Sequence, residues 1–223
     1  MRTLREHLEP VPLVQRSTLY EAGSRLTHLY FPTEGLVSLL HGMADGASAE
    51  VAIVGTEGVV GISLVMGRET TPSSAIVQSP GQALRVGAEM LEREIRRGGR
   101  LQQLLLGYTH SLIAQMSQAA VCNRHHSVEQ RLCRWLLMSL DRLPADEIAV
   151  TQELIASMLG VRREGVTEAA SRLEEAGIIR RSRGRVTLLD RPGMEARSCE
   201  CYVFVRREND RLLTQVYRAP PPY

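Results

Sequence analysis

No lysine occurs in the 223 residues; all 27 basic side chains are arginine. Also absent is any run of about 18 apolar residues, so no membrane span is expected. The opening stretch "MRTLREHLEPVPLVQR" lacks the apolar segment of a signal peptide. Cysteine is scarce: Cys122, Cys133, Cys199 and Cys201 are too few to frame a chain of this length with disulfides. The cytoplasm is therefore the expected compartment. Catalytic signatures are missing too, with no phosphate-binding glycine loop and no nucleophile elbow. A cupin-like enzyme would need two or three histidines and a carboxylate around a metal. The first 98 residues offer only His7, His28 and His41, without an H-x-H pair.

What is present suits a globular protein of one large or two ordinary domains, with 43% hydrophobic and 23% charged residues. The net charge of +2 is unevenly spread: 10 Arg against 11 Asp+Glu over 1–120, then 17 against 14 over 121–223. Arginine makes bidentate contacts that lysine cannot copy. A chain wholly without lysine is nevertheless read as a mark of genomic base composition, and the count carries no functional weight.

The first part reads as short strands: "LTHLYFPTEGLVSLLHG", "AEVAIVGTEGVVG" and "SSAIVQSPGQALRV" are apolar or alternating runs broken by turn residues. An antiparallel barrel or sandwich follows. From Ala88 the texture is helical, and after Gly98-Gly99 comes a long pattern to about residue 124. There Leu101, Leu105, Tyr108, Leu112, Gln115, Ala119 and Cys122 recur at alternating spacings of 4 and 3. Such a seam suits a two-fold helix pair between protomers. A further helix starts at Ser127 and ends before Pro144, with Leu132, Trp135, Leu136, Ser139 and Leu140 facing inward. The expected division is 1–98, 99–124 and 125–223.

Residues 151–190, "TQELIASMLGVRREGVTEAASRLEEAGIIRRSRGRVTLLD", carry the chemistry. Thr151 is a good N-cap, Gly160 ends one helix, and a second runs from Arg162 to Ala176, stopped by Gly177. This is a helix-turn-helix, and "IIRR", "SRG" and "RVTLL" add a hairpin, which makes it a winged helix. Val166, Ala169, Ala170 and Leu173 can pack inward together. Arg163, Glu164, Thr167, Glu168 and Ser171 lie opposite. In this motif the N-terminal part of the second helix enters the major groove. Arginine can bond guanine O6 and N7, and glutamate can accept from cytosine N4. Arg163, Glu164, Thr167 and Glu168 are the expected base readers. Thr151, Gln152, Arg162, Arg181, Arg183 and Arg185 are the expected phosphate contacts.

On these motifs the chain resembles the Crp/Fnr family of bacterial transcription regulators, strongly over 127–190 and more loosely over 12–126. The resemblance implies an α+β architecture: a cyclic-nucleotide-binding-like β-roll (a jelly roll), a long dimerisation helix and a C-terminal winged helix. The partners it implies are double-stranded DNA, a second copy of the chain and RNA polymerase. It implies that Leu101, Leu105, Tyr108, Leu112, Gln115 and Ala119 form the dimer interface, and that Arg163 and Glu164 are the family's base-reading pair. Glu168 stands where many relatives are basic or small, and an acid there should repel phosphate. The family's effector pocket maps to Gly61, Ile62, Ser73 and Ser74. Ile62 stands in place of the family's glutamate and Ser73 in place of its arginine. Without that arginine a buried cyclic phosphate lacks its charge partner, so cyclic AMP is not expected to bind in the family manner. The cysteine cluster of iron–sulfur members is missing from the N-terminus. No cofactor is expected, and the effector is left open.

An alternative centres on Cys122, His125, His126 and Cys133, whose thiols and imidazoles suit zinc, haem iron or thiol redox chemistry. Their spacing matches no closed zinc pattern, and a break expected at 124–126 leaves a shared face for Cys122 and His126 open. Cys199 and Cys201 point to different sides if the tail is helical and share a face if it is extended.

Overall fold

The computed structural model describes residues 4–44 and 46–218. Seven strands come first: β1 (Glu9–Leu13), β2 (Thr18–Tyr20), β3 (His28–Pro32), β4 (Leu36–Gly42), β5 (Ser48–Val54), β6 (Ser74–Ser79) and β7 (Gly81–Gly87). They form two antiparallel sheets, ordered β1-β7-β3 and β2-β6-β4-β5. Leu29, Val37, Val54, Val77 and Val86 point between the sheets and are buried. Gly35 takes a left-handed φ of 88°, and a Cβ there would lie 2.7 Å from the Ser79 carbonyl oxygen. The turn before β4 therefore requires glycine.

The first half is thus the β-roll expected from the sequence. The run "LVSLL" of β4 is buried at every position instead of alternating. The cause is a second covering layer. Val37 and Leu39 face the roll interior, while Leu36, Leu40 and Ile53 join the core of the C-terminal half.

Helix α1 (Ala88–Arg96) packs Leu91 against the roll, and α2 (Arg100–His125) follows as 26 continuous residues. Helix α3 (Val128–Leu140) opens on a capping box, in which the Ser127 hydroxyl accepts from Gln130 N–H while the Gln130 side chain takes the Ser127 N–H. All residues from Arg131 to Leu140 are buried, because α3 lies between the roll and the elements that follow. These are β8 (Glu147–Ala149), α4 (Gln152–Leu159), α5 (Arg163–Glu175), β9 (Ile179–Ser182), β10 (Arg185–Leu188), α6 (Arg191–Arg197) and α7 (Glu200–Arg218). β9 and β10 make the expected hairpin, and β8 adds a third strand on its other side, in the order β8-β10-β9.

The seam of α2 requires a correction. Leu105, Tyr108, Leu112, Gln115 and Ala119 are buried within their own protomer, at 3%, 7%, 4%, 4% and 7% exposure. Leu105, Tyr108 and Leu112 belong to the roll core, with Leu101 packed against it. The Gln115 side-chain oxygen accepts the Ile53 N–H at 2.9 Å. Side chains that keep so little accessible surface can bury little more of it against another chain. Leu105, Tyr108, Leu112, Gln115 and Ala119 are therefore intramolecular contacts with little surface left for a second chain, whereas Leu101 is half-buried. The seam had the right period, but it marks the side of α2 that faces the roll. A second face of α2 holds α7, through Ser111 Oγ bonded to Asn209 Oδ1 at 2.9 Å and through Gly107 below Leu212. A third face leaves Leu106, Ile113 and Val121 exposed.

Candidate nucleic-acid interface

The helix-turn-helix forms where the sequence placed it. The Thr151 hydroxyl caps α4 by accepting the Leu154 N–H at 3.2 Å. Gly160 closes α4 in a left-handed conformation (φ 61°) and donates its N–H to the carbonyls of Ala156 and Ser157. Val166, Ala169, Ala170 and Leu173 are buried and fix the rotation of α5. Arg131, which sequence reasoning passed over, supports the turn from below: its buried guanidinium donates to the Leu159 carbonyl at the end of α4. No periodicity announces that contact, since arginine spacing gives no hint of a carbonyl 28 positions away.

The fixed rotation leaves Arg162, Arg163, Glu164, Thr167 and Glu168 exposed. Arg162 is the N-cap residue of α5 and makes no side-chain capping bond, while the Gly165 N–H donates to the Arg162 carbonyl at 3.2 Å. Arg163 keeps 64% of its side-chain surface and only grazes Glu153, at 3.8 Å. The Thr167 hydroxyl donates to Gln152 Oε1 at 2.8 Å, tying α5 to α4. Between α4, α5 and the β9–β10 wing runs a cleft of about 480 Å³, lined in part by Thr151, Gln152, Arg163, Arg181 and Arg185.

Two members of the expected set are differently employed. Arg181 is folded back on Glu174, with Nε at 2.8 Å and a terminal nitrogen at 2.6 Å, and it also reaches Ser171. The Arg181 N–H and guanidinium hold the Glu174 carboxyl below the usual carboxylate range. Its first role is thus to close the wing onto α5, not to wait for phosphate. Glu168 is paired with Arg172 at 2.7 Å, and Arg172 bonds Glu129, which also takes Arg197 at 3.1 Å. The negative charge of Glu168 is therefore largely offset, and the repulsion expected of an acid there is weakened. Arg185 bonds Glu147 at 2.5 Å but keeps 58% of its side-chain surface, while Arg183 stands exposed at the tip of the wing.

The sensor positions lie around the end of β2. Gly61 (φ 100°) starts a short 3-10 turn, and Ile62 packs on the roll core. Ser73 is buried with its hydroxyl 3.2 Å from that of Thr71, and Ser74 donates to Glu21 at 3.0 Å. Tyr20, in contact with the Gly61 backbone, has its phenol pushed by burial up to about 12.

Of the hinge set, the structure unites only Cys122 and His126. His125 is exposed, and Cys133 sits within the α3 core, where burial pushes its thiol up to about 12. α2 runs on to His125, so Cys122 and His126 do share a face. Cys199 and Cys201 join them, although the tail is helical, because Cys199 lies just before α7 in non-helical backbone. The helix boundary falls between the two cysteines, so the pair is neither wholly helical nor wholly extended.

Residues 10–97 match the cyclic nucleotide-binding domain family, and residues 130–197 match the Crp-like helix-turn-helix domain family. Among solved structures the chain is similar to FixK2 from Bradyrhizobium japonicum (TM-score 0.74, 17% identity, covering 86% of this chain and 98% of that one). It is also similar to TTHB099, a CRP-family transcriptional regulator from Thermus thermophilus (TM-score 0.70, 19% identity, 84% and 96%). A third is the c-di-GMP responsive global regulator CLP of Xanthomonas campestris (TM-score 0.67, 17% identity, 84% and 96%). No curated protein matches the chain. With a nucleotide-binding-type roll, a long helix and a Crp-like helix-turn-helix in that order, the chain belongs to the Crp/Fnr family of DNA-binding transcriptional regulators.

Proposed function

We propose that the protein is a sequence-specific regulator that binds a pseudo-palindromic operator as a homodimer. The observation that carries this reading is the exposure of Arg163 and Glu164 on the first turn of α5, a helix whose opposite face is fully buried. That arrangement lets a guanidinium and a carboxylate reach base edges while the helix N-terminus, which no side chain caps, faces a phosphate. Gln152, Arg162, Arg183 and the free side of Arg185 hold the backbone and set the register. Two-fold pairing places the recognition helices about 34 Å apart, one turn of DNA.

Pairing uses the outward face of α2, where Leu106, Ile113 and Val121 are exposed at spacings of 7 and 8. A long helix with an apolar stripe left over after its own packing suits a second identical helix. A signal acts at the roll or the hinge and must bind two states of the dimer with different affinity. At the family's phosphate position Ile62 and Ser73 supply no positive charge, so the effector is not cyclic AMP held in the family manner. RNA polymerase is the downstream partner, and no catalysis is assigned.

Binding-site selection from random duplexes tests the reading. The expected product is an inverted repeat with half-sites one helical turn apart. Enrichment of no motif, or of a single unrepeated half-site, would refute it.

A further inference from the structure

Three cysteines and one histidine from distant parts of the chain meet at the end of α2. Cys122 lies on the last turn of that helix, and His126 is its C-cap. Cys199 precedes α7, and Cys201 lies in its first turn. Cys122, Cys199 and Cys201 are 0%, 3% and 0% exposed and form a small cluster of their own. One ligand atom from each of the four residues falls within a sphere of mutual separations no wider than 4.8 Å. Cys122 Sγ is 3.5 Å from Cys199 Sγ, and Cys201 Sγ is 3.5 Å from His126 Nδ1.

Those separations fit one ion. Zinc–sulfur bonds of about 2.3 Å at tetrahedral angles place ligand atoms roughly 3.5–4 Å apart. A four-iron cluster, with each ligand on a different metal atom, would need them spread much wider. The surroundings are also those of a ligand set. His126 turns Nδ1 toward the thiols and Nε2 toward Glu200, 3.2 Å away. A carboxylate behind a ligating imidazole fixes its tautomer and raises its basicity. The Gln118 side-chain amide donates to Cys201 Sγ at 3.0 Å, a bond that favours a thiolate. Arg131 and Arg134, both buried on α3, place positive charge near Cys122.

We infer that Cys122, His126, Cys199 and Cys201 form a closed Cys3His site for a borderline-soft divalent cation, with zinc as the fitting ion. Binding converts three thiols to thiolates and releases three protons to solvent. With a neutral imidazole the centre carries one net negative charge, which Arg131 and Arg134 offset. Four protein ligands leave no open position, so the site is structural rather than catalytic. Its effect is to fasten the first turn of α7 to the junction between α2 and α3. The inference does not depend on which operator is read, or on whether DNA is bound at all.

The full chain, purified under reducing conditions without chelator, is expected to carry one zinc per protomer by elemental mass spectrometry. Replacement of that zinc by cobalt(II) should give the intense visible bands of a tetrahedral thiolate site in the unmutated protein. Cys199→Ser and Cys201→Ser should each lose the metal, whereas Cys133→Ser and His125→Ala should keep it. Glu200→Gln should retain the site with affinity lowered about 10–100-fold. Fully reduced thiols with only background zinc and no cobalt spectrum would overturn the inference. So would a Cys122–Cys199 disulfide in anaerobically purified protein, acid-labile sulfide in place of zinc, or undiminished zinc in Cys201→Ser.

Discussion

Arg163 and Arg183 are both exposed arginines of the DNA-binding half, yet their positions assign them different work. Arg163 projects from the first turn of a helix held by its buried face, and in the proposed complex it would meet the two acceptors of a base edge. Arg163→Ala should cost about 1–3 kcal/mol at the best operator and relax the preference at one base position. Arg183 stands on the hairpin turn beside Gly184, at the tip of the wing, and in the proposed complex it would meet only the phosphate chain. Arg183→Ala should weaken all duplexes alike and reduce the dependence on salt by about one released counterion. Selection and salt titration of the two variants separate these roles, and identical behaviour would merge them. Arg181 would be a poor choice for either test. Its removal strips Glu174 of its partner and loosens the wing before any DNA is present.

At the scale of the element, α2 has three faces with three tasks: the roll on one, α7 on another, and solvent on the third. A charge on the solvent face should leave the fold intact and oppose pairing, because a buried unpaired carboxylate is costly. Ile113→Glu is therefore expected to sediment as a folded monomer with unchanged circular dichroism; an intact dimer would remove the outward face from consideration. Leu112→Ala, one residue earlier, should behave oppositely. It opens a cavity in the roll core and should destabilise the protomer by about 2–5 kcal/mol without a specific effect on association. Thermal melts and sedimentation of the pair distinguish the two faces. α5 shows the same logic at smaller size, with its apolar side deciding which way its polar side points.

At the scale of the whole molecule, the winged helix is docked on the roll of its own protomer. The Trp135 indole donates to Glu50 at 2.9 Å, Arg142 bonds Glu57 at 2.6 Å, and Gly160 lies so close to Ala49 that a Cβ would come within 3.2 Å. Burial lifts the Glu50 carboxyl to about 7, against hydrogen bonds from Ser38 and Trp135 and the charges of Arg134 and Arg142, which act to lower it. A carboxyl that binds its proton more tightly when folded stabilises most below its unfolded value. It loses that contribution as pH rises from about 4.5 to about 7, and changes little above. The docked state should thus lose roughly 3 kcal/mol across this window. Glu50→Gln, which retains an oxygen for Trp135, should flatten the profile. Melting temperatures of both proteins from pH 4.5 to 8 provide the check, and parallel curves would dismiss the effect.

The sequence alone determined the order of parts, the helix-turn-helix with its caps at Thr151, Gly160 and Gly177, and the exposed Arg163–Glu164 pair. These are set by local rules: capping, left-handed glycine and the 3.6-residue period act within a few positions of each residue. Only the tertiary structure decided what lies opposite each face. The α2 seam was legible as a stripe, but a stripe does not say whether a roll or another chain covers it. Glu50 looks like any strand glutamate until Trp135, 85 positions on, buries it. Cys199 and Cys201 became neighbours of Cys122 and His126 only because α7 returns along α2. Periodicity records that a side chain is to be buried, and the long-range path of the chain chooses its partner.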